Sequence, residues 1–209
     1  MRPNPAFRYI DPMSKKPPIP TTRRSLLKIG ALATTALVTP AIVQAAAPYK
    51  RTLRMHNLNS GERLTITYWA DGEYQSATFS AINWFMRDLR NHQTIQMSTD
   101  LLDLMWDIDQ LTPSNAPLYT MSGYRSPETN AKLAARSEGV AENSFHMQGM
   151  AMDLTQNFNN PGELFYVAKA LGRGGAGFYP TRRPFVHIDV GPPATWVYPE
   201  PGRGDDPTS

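Results

Sequence analysis

Two stretches of the sequence place histidine and aspartate in patterns suited to binding a metal ion. Residues 144–153 contain His146 and end at Asp153, and residues 185–190 contain His187. Two neutral imidazoles and one carboxylate supply three nitrogen or oxygen ligands, the set that a catalytic zinc site uses while keeping a fourth position for water. Zinc in such a site acidifies water and polarises a carbonyl group. The pattern indicates a metal-dependent hydrolase; the alternative is that each histidine is a hydrogen-bonded core residue.

Side-chain alternation predicts that the polar residues of both stretches share one face of a sheet. In an extended strand, residues two apart point the same way. Ala151 would therefore lie beside Asp153, and His187 beside Asp189, while the residues between them are apolar. Each stretch thus predicts a strand with one face for the core and one for a site. Gly149 and Ala151 are small, and we expect them to leave room beside the metal.

Other kinds of catalytic group have little support in the sequence. The chain contains no cysteine, which removes thiol nucleophiles, disulfides and thiolate metal sites. The serines near the two stretches lack the context of a nucleophile elbow. Residues 172–177 are glycine-rich like a phosphate-binding loop, but no Lys-Ser/Thr pair follows and no helix opens there. A turn is predicted for them instead.

Hydrophobic periodicity predicts the elements that must position these residues. Alternating patterns predict strands over residues 53–55, 64–69, 118–122, 150–154 and 185–190. Helical spacing predicts helices over residues 99–111, 127–137 and 160–172. A further helix is predicted to be capped by Ser80 and to bury apolar residues as far as Leu89. Ser126 followed by Pro127 is a favourable helix start, with Ser as N-cap and Pro at the first helical position.

These elements predict an α+β fold, with helices packed on a small, largely antiparallel sheet. Residues 46–198 suit one domain with a single core, and residues 46–52 are predicted to be a short linker. The tail, residues 199–209, is rich in Pro, Gly and Asp and is predicted to be disordered.

The first 45 residues have the layout of a secretory leader. Arg23 and Arg24 precede an apolar run over residues 29–43, and alanines follow at positions 45–47. The paired arginines indicate the twin-arginine route, with cleavage after Ala45. The alternative is an uncleaved anchor, but the run is shorter than the ~20 residues that span a bilayer and contains Pro40. The prediction is a periplasmic protein with no stable membrane span after cleavage.

The charge of the chain is concentrated in this leader. The whole sequence carries a net charge of +3. Residues 1–45 hold seven Lys/Arg and one Asp, which leaves 14 basic and 17 acidic residues, a net charge of −3, in residues 46–209. No basic run follows the leader, so binding to nucleic acid is not expected.

The motif Ser144-x-His146-x-x-Gly149-x-Ala151-x-Asp153, followed by a second histidine near the C-terminus, resembles the signature of the LAS zinc peptidases. This family includes D-Ala-D-Ala peptidases, murein endopeptidases and Hedgehog-like domains. The similarity is greater to its exported, MepK-like murein endopeptidases. It is carried by residues 122–126, 136–153, 174–180 and 185–189, and it extends over residues 53–196. The resemblance implies a Hedgehog/D-Ala-D-Ala-peptidase-like fold.

The resemblance also implies roles for individual residues. His146, Asp153 and His187 match the ligands of Zn²⁺. Arg125 matches an arginine near the substrate carbonyl or carboxylate, a role that suits a fixed guanidinium, and its alternative is a surface salt bridge. Ser144 is implied to hydrogen-bond near the substrate, with a simple turn role as the alternative.

One position departs from the family pattern. Many LAS enzymes carry Glu or Asp three residues before the last ligand, where this sequence has Pro184. Asp189 shares a strand face with His187 and is the candidate general base that takes a proton from water. The alternative role for Asp189 is to orient a histidine ring through a hydrogen bond.

The resemblance implies a zinc-dependent endopeptidase that acts on peptidoglycan and cuts peptide cross-links containing diaminopimelate. Two alternatives stay open from the sequence. One is a D,D- or L,D-carboxypeptidase that trims stem peptides. The other is a non-catalytic peptidoglycan-binding domain with a structural zinc ion, which the missing carboxylate at position 184 favours.

Overall fold

Eight strands form one sheet in a computed structural model of the protein, which describes residues 49–112, 114–137, 139–156, 160 and 162–198. The predicted leader and tail lie outside the described residues. The strands are β1 (Lys50–Asn57), β2 (Arg63–Ala70), β3 (Glu73–Tyr74), β4 (Leu118–Ser122), β5 (Ala151–Thr155), β6 (Gly175–Tyr179), β7 (Phe185–Asp189) and β8 (Ala194–Val197). Their order across the sheet is β3-β2-β1-β4-β5-β7-β6-β8.

Within the described residues, five of the seven strand pairings are antiparallel, and β1/β4 and β6/β8 are parallel. Four α-helices accompany this sheet: α1 (Phe79–Phe85), α2 (Thr99–Leu111), α3 (Pro127–Ala134) and α4 (Gly162–Leu171). The predicted α+β class and largely antiparallel sheet are confirmed. No helix in the described ranges is long and apolar enough to cross a membrane.

One hydrophobic core joins α1, α2 and α4 to a single face of the central strands. The apolar stripe of α2 is buried, including Leu104 and Ile108. The apolar faces predicted for the two site strands lie in the same core, because Met152 of β5 and Ile188 of β7 belong to its buried cluster. Apolar burial on this face therefore fixes which side chains of β5 and β7 point away from it.

The predicted start of the chain's first helix is wrong. A 3-10 helix over Ser76–Thr78 leads directly into α1, whose N-cap is Thr78, so Ser80 lies inside the helix. The helix ends at Phe85 and does not reach Leu89. It ends early because the Met86 carbonyl does not accept a further helical hydrogen bond. That carbonyl accepts one from the backbone N–H of Tyr124 at 2.7 Å, in the segment between β4 and α3.

Two further segments differ from the prediction. The predicted linker over residues 46–52 includes the start of β1, where Lys50 pairs with Ala70 of β2. The glycine-rich run predicted as a turn forms β6 from Gly175 onwards, between β7 and β8. Glycine has low strand propensity, so sequence gives no signal there. Gly177 is required by packing, because an added Cβ would overlap the indole of Trp196.

Candidate metal centre

The pairing of β5 with β7 brings two of the candidate ligands together. Asp153 lies directly opposite His187, and Ala151 lies opposite Asp189. Residues opposite each other in a sheet project from the same face. The polar face predicted for each strand is therefore a single surface, which turns away from the core.

The third candidate ligand, His146, comes from the turn that leads into β5. It lies in a 3-10 helix over Phe145–Gln148, where the Ser144 hydroxyl accepts a hydrogen bond from the His146 N–H at 3.3 Å. Gly149 ends this helix with a φ of 68°. A Cβ on Gly149 would lie 2.8 Å from the Gln96 carbonyl oxygen. The small size of Gly149 thus leaves room for a neighbouring chain segment, and the expected role beside the metal is not what the packing shows.

Three candidate ligand atoms converge on one point, here named the metal point. The distance from His146 Nε2 to Asp153 Oδ1 is 3.1 Å, from Asp153 Oδ1 to His187 Nδ1 3.0 Å, and from His187 Nδ1 to His146 Nε2 3.2 Å. Ligands of a tetrahedral zinc ion at its usual bond lengths are about 3.3 Å apart. In the described part of the chain, these three residues form the group that could hold a metal ion.

The outer hydrogen bonds of the two histidines decide which ring nitrogen faces this point. His146 Nδ1 lies 2.7 Å from the Gly123 carbonyl oxygen and must donate to it. His187 Nε2 lies 3.0 Å from Asp189 Oδ2 and likewise donates. A neutral imidazole with one nitrogen protonated presents a lone pair on the other. When both rings are neutral, two nitrogen lone pairs and a carboxylate oxygen face each other, an arrangement that a cation between them stabilises, whether a proton or a metal ion. The donor set fits zinc.

Burial and close approach shift the pKa values of all three residues, His146, Asp153 and His187. Burial lowers the pKa of His146. Burial alone would also lower the pKa of His187, but hydrogen bonds to Asp153 and Asp189 outweigh it and raise this pKa to about 9. Burial opposes ionisation of Asp153, yet the facing histidines hold its pKa well below the usual range. In the metal-free protein, a proton on His187 provides the positive charge that these groups require.

Asp189 is held by three hydrogen bonds. Besides the one from His187, its Oδ1 atom accepts bonds from the backbone N–H groups of Gly175 at 3.0 Å and Gly191 at 2.8 Å. Asp189 is 3% exposed. The glycine-rich start of β6 is needed here, since a Cβ at Gly175 would overlap this carboxylate. These contacts match the orienting role that the sequence left open for Asp189.

Arg125 binds the carboxylate of Asp153 on the side opposite the metal point. Its Nη2 atom donates to Asp153 Oδ2 at 3.0 Å, and weaker bonds run to Asn130 Oδ1 at 3.4 Å and Ser122 Oγ at 3.3 Å. The side chain is buried, so the ion pair is not a surface salt bridge. The two carboxylate oxygens of Asp153 thus have different partners, because Oδ1 faces the metal point and Oδ2 is bound by Arg125.

The segment that carries Arg125 is anchored by Asp88, a buried residue that the sequence did not single out. Asp88 Oδ2 accepts hydrogen bonds from the Ser126 N–H at 3.0 Å and the Ser126 hydroxyl at 2.8 Å. Its Oδ1 atom accepts one from the Arg90 N–H at 3.0 Å. No sequence pattern links Asp88 to Ser126, because the two are 38 residues apart.

The metal group opens onto a cleft with a volume of about 970 Å³. His146, Asp153, His187, Arg125, Ser144 and Asp189 all line it. The lining also includes the aromatic residues Tyr179, Trp196 and Tyr198 and, from other segments, Asn57 and Arg90. Trp196 of β8 is thus part of the cleft lining.

The fold and the site define a class: an α+β protein with a His-Asp-His group able to hold a metal ion at an open cleft. A family model described as "Peptidoglycan L,D-endopeptidase MepK" matches residues 45–196. The chain therefore belongs to this peptidase family.

Three relatives show the extent of the similarity. The peptidoglycan L,D-endopeptidase MepK of Escherichia coli (strain K12) is 36% identical over 176 residues, covering 83% of this chain and 96% of that protein. The protein of the same name from Shigella flexneri has the same identity and coverage. The probable peptidoglycan L,D-endopeptidase MepK of Haemophilus influenzae is 34% identical over 177 residues, covering 83% of this chain and 95% of that protein.

Proposed function

We propose that the protein is a zinc-dependent endopeptidase that hydrolyses peptide cross-links of peptidoglycan, including those that contain diaminopimelate. The observation that carries this proposal is the triangle of three lone-pair atoms facing an open cleft, in a chain of this family. The names of the relatives support peptidoglycan as the substrate and an L,D bond as the one that is cut.

Each residue of the site has a proposed role. His146, Asp153 and His187 would hold the zinc ion, which when bound supplies a Lewis acid that polarises the carbonyl and acidifies water. Arg125 fixes Asp153 and presents positive charge to the cleft, where developing oxyanion or stem carboxylate charge would lie. Ser144 shapes the turn that carries His146, because its hydroxyl is bound to that backbone.

We assign Asp189 to the orientation of His187 rather than to proton transfer from water. Its three hydrogen bonds hold the carboxylate against His187 Nε2, on the far side of the ring from the metal point. A carboxylate in this place fixes the ring and raises its basicity as a ligand. Pro184 carries no acid or base, so neither of these two positions provides the general base.

The distribution of the lining residues on both sides of the metal group favours an endopeptidase over a carboxypeptidase. The cleft lining extends from Asn57 at the end of β1 to Trp196 in β8. In the sheet order, β5 and β7, which carry the metal group, lie between these two strands. Lining residues on both sides of the metal group would let a substrate peptide continue on both sides of it.

The fold and location complete the proposal. The mostly antiparallel sheet with its metal group on one face is consistent with the Hedgehog/D-Ala-D-Ala-peptidase-like fold. Peptidoglycan lies outside the cytoplasm, which agrees with the twin-arginine leader predicted for residues 1–45. Replacing Arg23 and Arg24 with lysine should retain the protein in the cytoplasm, as read by cell fractionation; unchanged export would contradict this route.

A digest of cross-linked murein tests the activity. Zinc-loaded protein beginning at Ala46 should convert dimeric muropeptides to monomers, as read by chromatography and mass spectrometry. A chelator and His146→Ala should each abolish the reaction. His92→Ala is the matched control, because His92 belongs to no metal group in the described structure and should leave activity unchanged.

The products distinguish the alternatives. Release of single terminal residues without loss of dimers would indicate a carboxypeptidase. Intact murein despite bound zinc would overturn the enzyme proposal in favour of a binding domain.

A further inference from the structure

The indole of Trp196 lies directly beside the metal group. Trp196 in β8 pairs with Gly177 in β6, which in turn pairs with His187 in β7, so the three share one face of the sheet. The missing side chain of Gly177 gives the indole its place. The ring centroids of Trp196 and His187 are 5.4 Å apart.

This indole holds a tyrosine hydroxyl in the cleft. Trp196 Nε1 donates a hydrogen bond to the Tyr179 hydroxyl oxygen at 3.1 Å. Tyr179 is also stacked on Phe185, with ring centroids 4.5 Å apart and planes 6° from parallel. Both contacts involve residues of the cleft lining. Tyr179 is therefore fixed in direction before any substrate binds.

The direction of the Trp196 bond determines what the hydroxyl can do. An indole N–H can only donate, so the Tyr179 oxygen accepts and its own proton points elsewhere. In the described structure, that proton has the Gly139 carbonyl oxygen as acceptor at 3.4 Å. This distance is long for an O–H···O bond, which is usually about 2.7–2.8 Å. The proton is therefore available to a ligand in the cleft.

Tyr179 lies close enough to the metal group to reach a bound peptide there. It is two residues beyond Gly177 on the same face of β6, which makes it a diagonal neighbour of His187. Burial raises the pKa of Tyr179 and outweighs the hydrogen bond from Trp196, which lowers it. At neutral pH the phenol therefore remains neutral and can donate a hydrogen bond. It cannot serve as the general base, for which the family pattern has a carboxylate at the position of Pro184.

We propose that the Tyr179 hydroxyl donates a hydrogen bond to the carbonyl oxygen of the amide that is cut, and that Trp196 positions it. This inference rests on the proposed function. As the oxygen of water adds to the carbonyl carbon, the electron pair of the C=O π bond moves onto the carbonyl oxygen; the proton that the water loses ends on the amide nitrogen, which leaves as the amine when the C–N bond breaks. The hydrogen bond from Tyr179 strengthens as that charge develops, and the phenol keeps its proton.

The test compares Tyr179→Phe, Trp196→Phe and the double variant on a purified cross-linked muropeptide dimer. Tyr179→Phe should lower kcat about a hundredfold, the lower end of what losing one preorganised donor costs, with little change in KM. Zinc content and Tm should match the wild type. Tyr166→Phe makes the same chemical change on α4, outside the cleft, and should leave activity unchanged.

A double-variant comparison separates positioning from packing. If Trp196 acts through Tyr179, Trp196→Phe should lower kcat several-fold alone and have almost no further effect in the Tyr179→Phe background. Equal losses in both backgrounds would show that Trp196 only packs against the sheet, which would overturn its assigned role.

A phosphinic peptide analogue distinguishes this inference from the activity itself. An anionic oxygen on its tetrahedral phosphorus mimics the charged carbonyl oxygen, so Tyr179→Phe should bind the analogue far more weakly than the wild type does. If the wild type does not cleave murein but Tyr179→Phe still binds the analogue more weakly than the wild type does, the proposed function is overturned while the hydrogen bond from Tyr179 is supported. Wild-type kcat and analogue affinity in Tyr179→Phe would overturn the inference.

Discussion

Asp189 Oδ2 lies 3.0 Å from His187 Nε2 and accepts its hydrogen bond, which leaves His187 Nδ1 to face the metal point. Two backbone N–H groups hold the other carboxylate oxygen. The geometry joins a candidate metal ligand to a partner that fixes its tautomer, a relationship that tunes metal affinity in metal sites.

The first prediction separates the two roles that the sequence allowed for Asp189. Asp189→Asn should weaken zinc binding by about 10–100-fold, because an amide orients the ring less firmly and does not favour the same tautomer. Competition with a chelating dye measures this affinity. If Asp189 were the general base, zinc affinity would stay at the wild-type value while kcat fell at saturating zinc.

The second prediction concerns protons released when zinc binds. The pKa of His187 is raised to about 9 in the metal-free protein, so the ring is protonated at pH 7 and must lose a proton to become a ligand. Raising the pH towards 9 should therefore tighten zinc binding by about tenfold per unit. Titration calorimetry in buffers of different ionisation enthalpy should show about one proton released per zinc at pH 7. Heats that do not depend on the buffer would contradict this.

A third prediction tests the link between Arg125 and Asp153. Arg125→Lys keeps the charge but cannot bond to Asp153, Asn130 and Ser122 together, since only a guanidinium carries donors in this planar arrangement. We expect zinc affinity to fall about 10–100-fold. Arg63→Lys, at an exposed position of β2, is the control. A rise in KM with zinc affinity unchanged would show that Arg125 only binds substrate.

The fourth prediction concerns the stability that Asp88 provides. Its buried carboxylate accepts three hydrogen bonds, so Asp88→Asn should lower the free energy of unfolding by about 1–3 kcal/mol at pH 7. Burial opposes ionisation, but hydrogen bonding by Thr129, Ser126 and Arg90 outweighs it and lowers the pKa of Asp88. A lowered pKa stabilises the fold above the unfolded-state value, about 3.9, and this contribution is lost as the pH falls through the folded-state pKa.

Urea unfolding with chelator present, at pH 7 and at acidic pH, measures this contribution. The difference in stability between wild type and Asp88→Asn should shrink as the pH falls. A difference that stays constant with pH would show that packing, and not the ionised carboxylate, is responsible.

Local chemistry explains which elements were predictable from sequence. The bounds of α2 and β4 agree with the prediction residue for residue, because apolar spacing and flanking loops define them locally. Ser126 caps α3 as predicted and accepts a hydrogen bond from the Thr129 N–H. In contrast, β6 begins in a glycine run whose suitability depends on Asp189 and Trp196, which follow it in the chain. Strand propensity cannot register such contacts.

The sequence by itself determined the ligand types, the two-faced strands and the membership of a peptidase family, because residue identity and alternation are local properties. Only the tertiary structure decided the register that sets Asp153 opposite His187, the nitrogen that each histidine presents, and the partners of Asp189 and Arg125. These depend on distances between segments far apart in the chain. Burial of one shared core sets those distances, and hydrogen bonding in a buried site then leaves each polar atom few choices.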